Sequence, residues 1–525
     1  MMNHPVNPPG PQHPQGPGQP QWQGQPGAVP QHGYAPQGPG YPPQGPVMAA
    51  PKKKSKAPII VAAVVALALL AGGAFAAVML FKKPASVAAA NVLPDNPLIV
   101  ASIDLNPSAP DQLAVKDLAE KFPEFTDGLN ITEGNYKKAL AEFVLKNNDD
   151  LSWTDVEPWL GDSITVAAYP QDSDKDPMVI LAIQHKDAGK AEAFAKDLAA
   201  KPENDDLSYR IADDQLLITK QAELPDADAV KKAPLANNEG FKADMAKLPG
   251  GLLATFWGDV KGLQELTQQL GGGLGATVTA PTTVLQGRIA FGLRIEDSTL
   301  VLEGIGWQEQ KFEGSRESVS ELIGNMPSDT IATFGASTND AAVDQAWEQL
   351  DQQGLSQSQL QSVGISSKED LKALIGQQFG FYVPQSALTS LTGRPAGAPT
   401  VGLAVKTNDP AGHQAVLERI GKQLPEGLKH HSEGDKVYTI WNGSAEELAK
   451  PKEKLASNEI YQKVVKEADK ASAIFFINID SIVTAVPNIT AGSDAQALTR
   501  LGGVGMVAKV LDDHYSSVSI RLSFK

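Results

Sequence analysis

The sequence predicts an α+β protein laid out in series: a disordered Pro/Gly/Gln-rich tail, one transmembrane helix, then two tandem copies of an antiparallel-sheet-plus-helices unit. Three observations predict it. Residues 57–81 carry no charge, period-two apolar runs alternate with helix-like stretches beyond residue 93, and LASNEIY (455–461) nearly repeats LANNEGF (235–241).

Composition sets the outer limits. A chain of 525 residues that is 42% hydrophobic has material for roughly two to four domains. It contains no cysteine, which excludes disulfides, thiolate zinc sites, cysteine nucleophiles and a lipidated N-terminal cysteine. The formal charge is -16, yet no acid precedes Asp95, whereas Lys52, Lys53, Lys54, Lys56, Lys82 and Lys83 all do. Setting those six lysines aside leaves 39 of 45 basic residues against 61 acids, so the body is more acidic than the whole. Such a body repels phosphate backbones, and nucleic acid is not an expected partner.

The tail is residues 1–56. Its first 51 residues hold 15 Pro and 9 Gly and close on the tandem heptad GYAPQGP–GYPPQGP (33–46). With too few apolar residues to bury a core, this composition reads as disordered, part polyproline helix and part coil. Trp22, Tyr34 and Tyr41 are spaced aromatics on the string, which serves as a spacer or as a docking tail for a cytoplasmic partner. The absence of Ser or Thr before Ser55 argues against phosphorylation of those hydroxyls as its control.

The transmembrane helix is read at 57–81, since about 20 apolar residues cross a bilayer. A cleaved signal peptide fits less well, because its apolar core is shorter and lies nearer the N-terminus. Four lysines precede the segment and two follow it, which predicts a single-pass cell-membrane protein with a cytoplasmic N-terminus and an extracellular body. Ala68, Gly72 and Ala76 form a small-residue face on which two such helices pack, and the flanking lysines suit anionic lipid headgroups.

A linker (82–92) leads to the first repeat (93–312). LIVASIDL (98–105) reads as a strand, and Ser108 with Pro110 and Asp111 reads as a capped helix start. DSITVAAYP (162–170) and MVILAIQH (178–185) form a hairpin, AGKAEAFAKDLAAK follows as a helix, and LSYRIA with QLLITK forms a second hairpin. LANNEGFKADMAKL is a helix, GLLATFWGDV a strand, and GRIAFGLRI with TLVLEGIGW a closing hairpin. The order returns in the second repeat (320–525): MPSDTIATFGAS, PTVGLAVKTNDPAGHQAVLERIGKQL, LASNEIYQKVVKEA, AIFFINIDSIV and GGVGMVAKVLDDHYSSVSIRLSF. In LANNEGF and LASNEIY the Asn caps a helix, the Glu meets its positive end, and Phe241 or Tyr461 faces inward. The repeated words mark a repeated fold and no repeated active site.

The residues Leu93-Pro94-Asp95, Ile103-Asp104-Leu105-Asn106-Pro107-Ser108, Lys121-Phe122-Pro123 and Val156-Glu157-Pro158-Trp159-Leu160-Gly161-Asp162 resemble the actinobacterial membrane-anchored proteins classed as domain of unknown function 3352. That resemblance implies an address and an architecture but no catalytic residue.

The sequence offers no catalytic, cofactor-binding or metal-ligating residue. GGGLGA (271–276) lacks the strand-to-helix context of a pyrophosphate cradle. Asp172 to Asp176 starts like a calcium loop, but Pro177 replaces the needed Gly and Ile183 the bidentate Glu. His430 and His431 point apart on a strand and read as exposed surface; Trp159 reads as a core anchor. The expectation is a non-enzymatic envelope protein, without cofactor, whose duplicated ectodomain binds or scaffolds an envelope protein or lipid, besides the membrane met through 57–81. The alternatives are a carrier of apolar ligands, because Ala290 and Gly292 leave one face of their strand open, and a cell-wall-polymer hydrolase.

Overall fold

In the computed structural model the chain divides into Met1–Lys54 and Ser55–Lys525. The structure describes residues 87–122, 131, 134–145, 151–171, 177–220, 223–262, 287–352, 361, 364–392, 400–422, 427–486 and 494–525. The strands are β1 (Ile99–Asp104), β2 (Leu160–Tyr169), β3 (Met178–His185), β4 (Ser208–Ala212), β5 (Gln215–Thr219), β6 (Ala254–Asp259), β7 (Gly287–Glu296) and β8 (Thr299–Gln308). They continue as β9 (Thr330–Ser337), β10 (Gln378–Pro384), β11 (Val401–Lys406), β12 (Leu428–Glu433), β13 (Lys436–Trp441), β14 (Ala473–Asn478), β15 (Leu501–Val510) and β16 (Tyr515–Phe524).

These strands correct the expectation of two tandem units. They form one 16-stranded sheet, in the order β12-β13-β11-β10-β9-β14-β15-β16-β8-β7-β6-β1-β2-β3-β5-β4, and every neighbour is antiparallel. The physical reason lies in the closing strands. As the last strand of its half, each of β8 and β16 would leave a row of backbone donors and acceptors unpaired, and pairing the two rows removes both edges. The pairing runs without interruption from Tyr515↔Trp307 to Ser523↔Thr299. Counted outward from this seam, the two halves have the same strand order. The strand starts Thr299 and Tyr515 differ by 216, as do the directly paired Glu303 and Ser519, so a local two-fold axis passes through that pair.

The expected transmembrane helix at 57–81 lies outside the described residues. Among the described residues no helix is long and apolar enough to cross a membrane. The longest of these, Ala109–Lys121 and Asp340–Gln352, have 13 residues each. That is about 20 Å of helix against about 30 Å of hydrocarbon. The single-pass transmembrane assignment, and the cell-membrane localisation derived from it, are not retained. Part of the expected linker is also ordered: Ala88–Asn91 make a 3-10 turn, and Val87, Ala89, Ala90 and Val92 are buried in the core of the first half.

Helix α1 (Ala109–Lys121) starts where expected, with Pro in its first turn, but Ser108 does not cap the backbone. Its hydroxyl donates to the Asp111 carboxylate instead. Helix α2 (Ala188–Ala199) is capped by Asp187, which accepts from the Lys190 amide. The repeated words fall on α3 (Glu239–Met245) and α5 (Glu459–Val464), with α4 (Pro410–Gly421) between them in the chain. Asn238 Oδ1 accepts from Phe241 N at 2.8 Å and Asn458 Oδ1 from Tyr461 N at 3.0 Å. Each Asn makes a second bond that the local pattern does not foretell: Nδ2 donates to Asp95 O at 2.7 Å in one half and to Ser328 O at 3.3 Å in the other. The cap thereby ties the helix start to the chain entering β1 or β9. Such a cap is worth about 1 kcal/mol.

The inward aromatics repeat too. Phe241 meets Trp257 edge-on at 5.6 Å, and Tyr461 meets Phe476 edge-on at 5.2 Å. Each pair anchors a helix on its half-sheet, and the two main apolar cores lie under α3 and α5 on the same face of the sheet. Between these cores, over the seam, the face is polar.

Candidate functional site at the seam

Strand alternation builds the site. On β7, Arg294 and Glu296 share the face of the buried Ala290; on β8, Glu303 shares the face of Ile305. The pairing Ser519↔Glu303 brings Ser517, Ser519 and Arg521 of β16 to that face, and Ser517↔Lys509 brings Lys509 of β15. Helices α3 and α5 end at Met245 and Val464. The residues after them, among them Lys247, Leu248 and Lys466, line a cavity of about 350 Å³ over the paired β8 and β16.

The cavity floor is an ionic network that joins the halves. Arg294 donates to Glu296 at 3.1 Å and to Glu303 at 2.9 Å. Arg521 donates to Glu296 at 2.9 Å, its other terminal nitrogen lies 3.7 Å from Glu303, and Lys466 reaches Glu296 at 2.7 Å. Burial pushes the Glu296 carboxyl up, but the bonds from Lys466 and Arg521, with Arg294 alongside, outweigh it and hold the group down at about 2. A second tie crosses the seam nearby. The buried Asp244 accepts from Trp257 Nε1 at 2.9 Å, Arg288 Nε at 2.8 Å and the Tyr515 hydroxyl at 2.9 Å, and the Arg288 guanidinium lies over the Trp307 ring.

Not every donor of the network is met. Arg294 Nε, Arg521 Nε and Ser519 Oγ are buried with no hydrogen-bond partner. Arg521 is 3% exposed, so its free N–H has no access to bulk water. The charged lining comprises Lys247, Arg294, Lys466, Lys509 and Arg521 against Glu303 and Glu467. A cationic pocket in a chain of formal charge -16 reverses the sign of its surroundings. Glu467 holds a left-handed backbone, φ 53°, an uncommon conformation for a side chain of its kind, on the cavity rim.

None of these residues was singled out from the sequence. The available signal was a charge at an inward position of an apolar strand, as in FGLRIE and SIRLSF, where alternation places Arg294, Glu296 and Arg521 opposite the solvent-compatible reading. The features that were singled out lie elsewhere. His430 and His431 sit on the edge strand β12, where His430 Nδ1 meets Thr439 Oγ1 at 3.0 Å and His431 Nε2 is buried without a partner. Trp159 is buried, donates to Asp155 O at 3.0 Å and packs against Phe194. GGGLGA and the acidic turn 172–176 lie outside the described residues. Among the described residues no group of three or more His, Asp or Glu is placed to hold a metal ion. Nor is the face of Ala290 and Gly292 open at those positions: Ala290 is fully buried and Leu252 lies directly over Gly292.

Fold and site define a doubled antiparallel α+β protein with a polar cavity at its internal two-fold axis. Residues 59–223 match the family described as protein of unknown function (DUF3352), which supports the resemblance carried by the first-half motifs. No curated protein and no solved structure matches the chain. The matched segment ends before β6, so every residue of the seam cavity lies outside it.

Proposed function

We propose that this is a non-enzymatic binding protein that holds or scaffolds another component of the cell, with the seam cavity as its point of attachment. The observation that carries the proposal is a cavity of small-molecule size, about 350 Å³, whose lining brings Lys247, Lys466 and Lys509 together over the seam. Pockets with a few convergent polar groups are where ligands bind. The carboxylates of the floor are each engaged by arginine, which suits a structural role better than acid–base work on a polymer. The charged lining suits a polar ligand group better than wholly apolar cargo. A place among actinobacterial members of the family, read from the motifs of the first half, is part of this proposal.

Blocking the cavity tests it. Ser519→Trp fills the space over the seam pair, so a component that co-purifies with the full-length chain, detected by native mass spectrometry and extraction, should fall at least tenfold in the variant at unchanged circular dichroism. Equal loading of wild type and variant, or no bound component on either, would overturn the proposal.

A further inference from the structure

We infer that the second half carries a docking surface for an amphipathic helix of a partner protein, on the face of the sheet opposite the seam cavity. This surface is separate from the attachment point proposed above and does not depend on it. Tyr382, Ala404, Ile474 and Phe476 point into the core under α5, so alternation turns Phe334, Phe381, Leu403 and Phe475 to the other side. Their registers set Leu403, Phe381, Phe334 and Phe475 directly opposite one another in a row across β11, β10, β9 and β14. Among the described residues five large apolar side chains are exposed, and three of them, Phe334, Phe381 and Val401, cluster here. An exposed apolar cluster of that kind marks an interaction site.

The first half shows what covers the corresponding surface. The bridges Pro94↔Pro234 and Pro327↔Lys454 set β1 and β9 in corresponding places 233 residues apart, which aligns Phe334 with Ala101; the pairs Ala101↔Val166 and Phe334↔Phe381 then align Phe381 with Val166. Ala101 and Val166 are 7% and 2% exposed, whereas Phe334 and Phe381 are 38% and 44% exposed. Val166 lies in a core against which Leu140 and Ala141 of the helix Tyr136–Leu145 pack, and Tyr136 and Ala139 of the same helix are buried. Apolar residues at positions i, i+3 and i+4 make this an amphipathic helix laid on the sheet. In the second half the offset falls from 233 at β9 to 215 at β10, so the connection is 18 residues shorter. Asp340–Gln352 answers α1 and Lys368–Ile375 answers Trp153–Val156, so the shortening falls between them, where the first half has Tyr136–Leu145.

Size and shape fit the same occupant. The row from Leu403 to Phe475 crosses four strands, about 14 Å, and ten helical residues are about 15 Å long. Phe379 meets both Phe334 and Phe381 edge-on, at 5.9 and 5.8 Å, which presets the aromatic rings as anchors. Because the two phenylalanines stand where the first half has Ala and Val, the docked helix presents small apolar residues over them.

Fluorescence anisotropy of a labelled peptide with the sequence of residues 134–148, titrated with the full-length chain, tests the inference. Saturable binding is expected, weakened at least tenfold in Phe334→Lys and in Phe381→Lys and unchanged in Leu113→Lys, the same change at an exposed apolar side chain of the first half. The substituted side chains are exposed, so each variant keeps the fold, which circular dichroism checks. A peptide of the same composition with its apolar spacing scrambled should not bind. Absence of saturable binding, equal binding of the scrambled peptide, or equal affinity in wild type and both Phe variants would overturn the inference. Sedimentation velocity separates the other occupants: a wild-type dimer that Phe381→Lys returns to monomer assigns the surface to a second copy, and a monomer that binds no peptide assigns it to the chain itself. Either result would replace the partner helix.

Discussion

Arg521→Met is expected to destabilise the protein by about 3 kcal/mol at pH 7, toward the lower end of the cost of breaking a buried ion pair. The arginine side chain is 4% exposed and bonds Glu296, itself 10% exposed. Methionine fills similar volume but leaves the carboxylate short of its charge partner; Arg294 and Lys466 remain and limit the loss. The pH dependence carries the signature. Glu296 is held at about 2 in the folded protein against an ordinary value of 4.5. A depressed carboxyl contributes stability that is fully present above 4.5 and is lost as pH falls toward 2, up to about 3 kcal/mol in all. Without Arg521 the folded value rises, so the variant has less to lose on acidification. Urea unfolding should therefore show the gap between wild type and variant shrinking from pH 7 to pH 3. A gap that is constant with pH would show that Arg521 acts through packing alone.

Phe476→Ala should cost about 3–5 kcal/mol, measured in the same way. Phe476 is fully buried on β14 and meets the Tyr461 ring of α5 edge-on. Truncation removes the contact that docks α5 and leaves a cavity that Ile474, Val507 and Val464, all buried in the same core, close only in part. Phe476→Leu keeps most of the volume and should cost less than about 1.5 kcal/mol. Equal losses for Ala and Leu would mean that ring geometry, and not filled volume, holds the helix.

The parts of this fold that were legible in the sequence are those written in local pattern. Period-two runs placed β1, β3, β5, β7 and β8 to within a residue or two, because alternation at a half-buried surface is a strong signal. The Asn of each repeated word marked a helix start, because a side chain that accepts from the third amide onward acts within one turn. The strand registers also give VEPWLGD a counterpart in the second half, LKALIGQ. The pairs Ile99↔Ala168 and Ala336↔Phe379 belong to registers in which β2 and β10 run 215 residues apart when β1 and β9 run 233 apart. That register sets Leu371 to Gln377 against Val156 to Asp162.

The seam was not legible. Leu300 and Leu302 on β8, and Ile520 and Leu522 on β16, give each closing strand an apolar face whether it ends a separate domain or continues into a partner. Nothing local distinguishes an edge from a junction. The site follows from the junction: Arg521 and Glu296 are 225 residues apart, and Lys466 and Glu296 are 170 apart. Each charge alone reads as an ordinary strand or loop residue. Only the antiparallel joining of the halves turns them into one network with a cavity above it.

The claim on which the rest depends is that β8 and β16 are interior strands of one sheet. Hydrogen–deuterium exchange of the full-length chain, resolved to peptides within 299–308 and 515–524, tests it directly. The account predicts that these amides exchange as slowly as those of β1 and β14 and far more slowly than those of the edge strands β4 and β12. Fast, edge-like exchange in both segments would contradict it, because two separate half-sheets would leave β8 and β16 as free edges and the cavity would have no floor.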